Sequence, residues 1–111
     1  MKIERTQEGD AVILRPRGLL IAADAEDLKV ALAKTMEENP PQIVLDASGI
    51  LFIDSRGLEV LAEAAEQMIQ RGLMLKLAGA NATLAEVLEL TELAPLFEHC
   101  PVLDAAAGGS P

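Results

Sequence analysis

Aromatic residues, cysteine, histidine and long apolar runs are all scarce in this 111-residue chain. With no tryptophan or tyrosine and only Phe52 and Phe97 as aromatics, Leu, Ala, Val and Ile must fill the interior. The single cysteine, Cys100, excludes an intramolecular disulfide and suits a reducing compartment. The single histidine, His99, lies beside it with no cysteine or carboxylate at metal-ligand spacing. A His-Cys dipeptide does not by itself make a zinc site, so no metal and no cofactor are expected. No apolar run approaches the ~20 residues of a membrane span. Residues 1–12 carry Lys2, Glu4, Arg5, Glu8 and Asp10, unlike a signal peptide. Cations are also few: 9 Lys and Arg against 18 Asp and Glu leave a net charge of −9. That field opposes nucleic acid and anionic lipid, whose phosphates need clustered Lys and Arg. It favours a basic protein partner and serves solubility equally well. The expectation is a cytoplasmic protein without direct membrane insertion.

Signs of catalysis are missing too. Gly9, Gly18, Gly49, Gly57, Gly72 and Gly79 are scattered singly, which suits turns and not a phosphate-cradling loop. Ser55, His99 and Asp46 or Asp54 supply the residue types of a hydrolase triad, but no spacing supports one. No catalytic residue is assigned, and the chain is read as a non-enzyme.

What is present is an apolar half, enough for the core of one ordinary domain. Lys2–Thr6 and Ala11–Arg17 flank the turn signal Glu8-Gly9-Asp10, which predicts a β-hairpin. Gly18-Leu19-Leu20-Ile21 leads into a helix with Asp24 as its expected N-cap and Leu28, Ala31, Leu32 and Met36 as its apolar stripe; Asn39-Pro40-Pro41 stops it. Ile43-Val44-Leu45 and Ile50-Leu51-Phe52-Ile53 read as strands. The clearest helix follows, with Leu58, Leu61, Ala62, Ala65, Met68 and Ile69 at helical spacing and Gly72 as its stop. Leu73–Ala78 reads as a strand, Asn81 as the cap of a third helix, and Thr91–Phe97 as a turn or short helix broken at Pro95. The alternation predicts an α/β fold with a mixed sheet of about four to five strands covered by about four helices. One domain over residues 1–104 and a flexible tail over 105–111 complete the expected layout.

The junction Asp54-Ser55-Arg56-Gly57-Leu58 stands where an apolar strand meets that clearest helix. Unpaired N–H groups and the macrodipole at a helix start favour added negative charge, so a phosphate on Ser55 would meet a prepared environment. Taken alone, Ser55 reads most simply as a helix cap with Asp54 as a second acceptor. Gly57 in the first turn lets another backbone approach closely and is expected to open the surface around Ser55.

Beyond these local readings, the chain resembles a STAS domain, the family of anti-sigma-factor antagonists and related modules, over roughly Met1 to Leu103. The resemblance runs through the hairpin, the Gly18 turn, Ile43-Val44-Leu45-Asp46, the Phe52-Ile53-Asp54-Ser55-x-Gly57-Leu58 signature and the Leu84–Phe97 segment. It implies a STAS-like single domain acting as a partner switch. The partner would be a GHKL-type serine kinase that is also an anti-sigma factor, and a phosphatase would reset the cycle. Ser55 corresponds to the phosphorylated serine, and Asp54, Ser55, Arg56, Gly57, Leu58, Ile21 and Asp24 are the implied partner-binding residues. Two positions depart from the family pattern. Arg56 replaces a small or hydroxylated residue, and Ile21 replaces the acid of Gly-x-Leu-Asp, which suggests a more hydrophobic docking patch. The alternatives are a STAS subunit that binds the ATPase of an ABC-type lipid transport system, and a scaffold STAS module.

Overall fold

The computed structural model describes residues 1–101. The expected domain end at residue 104 and the tail 105–111 lie outside them. The predicted hairpin is present as β1 (Lys2–Glu8) and β2 (Ala11–Leu20), antiparallel in the register Glu8↔Ala11 to Lys2↔Arg17. All later pairings are parallel: β3 (Gln42–Asp46) lies beside β2, β5 (Leu75–Ala78) beside β3, and β6 (Phe97–Cys100) beside β5. The sheet order is β1-β2-β3-β5-β6, and β4 (Ile50–Ile53) pairs with the far end of β2. This mixed sheet fits the predicted class, with two differences of detail.

The first difference is a sixth strand. Phe97–Cys100 directly follows a 3₁₀ turn at Ala94–Leu96, and Leu75↔Phe97 to Ala78↔Cys100 place it along β5. The second is that β2 does not end at Arg17. It continues past Gly18, pairing Gly18 with Ile50, Leu19 with Phe52 and Leu20 with Ile53, and leaves Leu51 as the extra residue of a bulge on β4. β2 thus pairs with β3 through Ala11–Leu14 and with β4 through Gly18–Leu20. The described residues contain three α-helices and two 3₁₀ turns instead of about four helices.

α1 (Ala22–Glu37) and α2 (Ser55–Gln70) lay their buried faces on one side of the sheet. The α2 stripe is rotated from expectation. Val60, Leu61, Ala64, Ala65 and Met68 are buried, while Ile69 is exposed and Leu58 and Ala62 are half-buried. α3 (Ala82–Leu90) buries Leu84 and Leu88, and Asn81 caps it by accepting from the Leu84 N–H at 2.8 Å, as its residue type and position predicted. Together with Leu14, Leu20, Ile43, Leu45, Leu75, Leu77 and Phe97 these side chains form one continuous aliphatic core.

Candidate functional site

Asp54, not Ser55, caps α2. Its Oδ1 accepts from the Gly57 N–H at 2.9 Å, and the helix begins at Ser55. Both residues are good caps; the extended backbone of Asp54 at the end of β4 decides which is used. Ser55 is therefore the first helical residue. It is exposed, and among the described residues no hydrogen bond engages its hydroxyl.

The other oxygen of Asp54 reaches across the chain. Oδ2 accepts from the Ala22 N–H at 3.2 Å, at the first residue of α1. Asp54 also donates its own N–H to the Leu20 carbonyl at 3.3 Å. One carboxylate thus holds the starts of two helices. This corrects the expected role of Asp24: α1 begins after Ile21, which provides no side-chain cap, and Asp24 sits in the first turn, 3.0 Å from the Met1 ammonium. That ammonium, hydrogen-bonded first by Asp24 and then by Asp27, has its pKa raised.

Gly57 is buried rather than surface-opening, which corrects the second expectation at this site. A Cβ there would lie 2.3 Å from the Leu20 carbonyl oxygen and 2.7 Å from Ile53 Cγ1. The glycine is the contact point at which α2 is pressed against the end of β2. It brings Ile21 within reach of the Ser55 turn without itself being accessible to a partner. Leu58 likewise packs against the core, half-buried, and offers only an edge.

Arg56 joins the two helices. Its Nε donates to Glu26 Oε1 of α1 at 2.6 Å, a second guanidinium nitrogen also pairs with Glu26, and Nη1 lies 3.5 Å from Glu59. The Glu26 hydrogen bond, supported by the charges of Glu26, Glu59 and Glu63, raises its pKa, so the cation is permanent. Beyond it, α2 exposes Glu59, Glu63 and Glu66.

Sequence reasoning missed Leu51 and Phe52. β4 is one apolar run in the sequence, yet Leu51 is 72 % and Phe52 60 % exposed. The register accounts for this: Leu20 and Ile53 turn inward, Leu19 and Phe52, paired beside them, turn out, and Leu51 is the unpaired residue of the bulge. A shallow groove lined by Leu51, Phe52, Val87 and Thr83 runs between β4 and α3. An aromatic in a chain with only two would have been the signal. His99 of β6, by contrast, has Nε2 2.7 Å from the carbonyl oxygen of Ala94 in the preceding 3₁₀ turn. Among the described residues there is no group of three or more potential metal ligands, and no helix is long and apolar enough to cross a membrane.

The fold is a mixed sheet with helices packed on it, and at the start of α2 it presents an exposed serine near an apolar edge and an acidic helix face. The chain belongs to the STAS domain family, whose model matches residues 2–106. It is similar to the candidate anti-sigma factor antagonist BtrV of Bordetella bronchiseptica, with 28 % identity over 96 % of this chain and 92 % of that protein. Its fold matches that of a candidate anti-sigma factor antagonist from Thermotoga maritima, with TM-score 0.87, 23 % identity, and coverage of 96 % and 92 % of the two chains. It also matches the phosphorylated form of the Bacillus cell fate determinant SpoIIAA, with TM-score 0.75, 14 % identity, and coverage of 98 % and 100 %.

Proposed function

We propose that this protein is an anti-sigma-factor antagonist that works by partner switching in the cytoplasm. In its unmodified form it docks on an anti-sigma factor that is also a serine kinase, and so frees a sigma factor. The kinase then transfers the γ-phosphoryl group of its nucleotide to Ser55. The bond from Ser55 Oγ to phosphorus forms, the bond to the bridging β,γ-oxygen breaks, and the serine proton passes to a base on the kinase. A phosphatase restores the hydroxyl. The observation that carries this reading is the division of labour at the α2 start: Asp54 does the capping, and Ser55 is exposed with its hydroxyl unengaged.

The docking surface comprises Ser55, Asp54 and Arg56 with Ile21 beside them and Asp24 on the flank. Leu58 contributes an edge, Leu51 and Phe52 add apolar area, and Gly57 acts through shape. A phosphate adds about −1.5 to −2 charges beside Asp54 and ahead of the Glu59, Glu63 and Glu66 face. The helix start tolerates that charge within the free protein, while the bulk of the phosphate and the cost of desolvating it oppose a contact fitted to the unmodified hydroxyl. Affinity capture of the tagged chain from its host, with mass spectrometry of partners and of Ser55, tests the reading. A GHKL-type kinase with phosphate on Ser55 supports it. A transport ATPase with unmodified Ser55 replaces it with the transport-subunit function.

A further inference from the structure

Ala22 is the first residue of α1 and has φ +45°, in the left-handed region that is strained for a residue with a Cβ. Such a conformation persists only where its surroundings over-determine it. Three contacts do so here, all converging on the segment that follows β4. The Ala22 N–H is held by Asp54 Oδ2 at 3.2 Å. The Leu20 carbonyl accepts from the Asp54 N–H at 3.3 Å. Gly57 lets α2 lie so close that a Cβ would overlap the same Leu20 oxygen. Residues 20–22 and 54–57 are therefore one unit, although 32 residues separate Ala22 from Asp54.

We propose that Asp54 is the positioning residue of the switch: its carboxylate locks the β2–α1 junction onto the helix start that carries Ser55, so that Ile21 and Ser55 are presented as one rigid surface. The two oxygens have separate tasks. Oδ1 completes α2, which many short polar residues can do. Oδ2 holds Ala22 in its left-handed state, which needs a second acceptor on the same side chain. A serine at position 54 would cap α2 and leave Ala22 unheld. The significance of the joined surface rests on the docking function proposed above; the lock itself does not depend on it.

The test uses the full isotope-labelled chain and the variants Asp54→Ser and Asp54→Ser/Ala22→Gly. Serine has one short oxygen, so it caps α2 but does not also reach Ala22. In Asp54→Ser, amide exchange at Gly57 is expected to stay within about threefold of the parent. Exchange at Ala22 rises at least tenfold, and its HN–Hα coupling moves away from the positive-φ value. Glycine adopts positive φ without strain, so the double variant is expected to return residue 22 to positive φ and Ile21 to its parent chemical shifts. Unchanged exchange and coupling at Ala22 in Asp54→Ser overturn the proposal, as does loss of both sites together without rescue by Ala22→Gly. No kinase enters the experiment, so its failure is distinct from a failure to find phosphate on Ser55.

Discussion

Replacing Gly57 with alanine sets two effects of opposite sign against each other. Alanine in place of glycine within a helix gains roughly 1 kcal/mol from propensity. The added methyl, however, would stand 2.3 Å from the Leu20 carbonyl oxygen, 2.7 Å from Ile53 Cγ1 and 3.0 Å from Leu20 Cγ. The nearest atom is main chain, so no rotamer change relieves it; β2 and α2 must separate. Overpacking of this kind costs about 1–3 kcal/mol, and the backbone clash puts Gly57→Ala at the upper end. The net expectation is a loss of about 2 kcal/mol, or roughly 8 °C in Tm at about 4 °C per kcal/mol for a domain of this size. Urea denaturation and thermal melts followed by circular dichroism measure it. A Gly57→Ala protein as stable as the parent would mean that propensity dominates and that α2 is not pressed against Leu20 as described.

Further outcomes follow from the same geometry. Because Asp54 is the cap, Ser55→Ala is expected to change stability by less than about 0.5 kcal/mol, against about 1–2 kcal/mol lost in Asp54→Ala, both read from urea midpoints. Phe52→Ser exchanges an exposed side chain, so its Tm should stay within about 3 °C of the parent, while partner affinity measured by calorimetry falls at least tenfold. Arg56→Gln removes the Glu26 tie between α1 and α2. Its Tm deficit relative to the parent should be larger at 20 mM than at 1 M NaCl, since screening removes the parent's advantage. Leu88→Ala, at a fully buried position of α3, should cost about 2–5 kcal/mol.

Much of this architecture was legible because it rests on local signals. Asn81 is a good cap residue three positions before an inward leucine, and the bond to Leu84 follows. The turn at Glu8-Gly9-Asp10 fixed the hairpin, and α2 announced itself by its period. What escaped depends on residues far apart in the chain. Asp24 and Asp54 are equally plausible caps by residue type, and only the folded chain shows that Asp54 serves both helix starts. β6 offers a four-residue stretch, Phe97-Glu98-His99-Cys100, with no alternation of its own; the open side of β5 makes it a strand. Leu51 and Phe52 look like core in any hydropathy scan, and the bulge at Leu51, opposite Gly18 and Leu19, is what leaves both exposed. At the site, residue types identified the Asp54–Leu58 turn and the interest of Ser55. They did not reveal that Gly57 is buried or that Arg56 is already engaged by Glu26.

The most direct test of the switch is the affinity of the recovered kinase for two forms of this chain, one with unmodified Ser55 and one with phosphoserine incorporated at that position. Partner switching requires binding at least tenfold weaker for the phosphorylated form, a difference of about 1.4 kcal/mol, with superimposable amide spectra away from the α1 and α2 starts. Equal affinities for the two forms would contradict it.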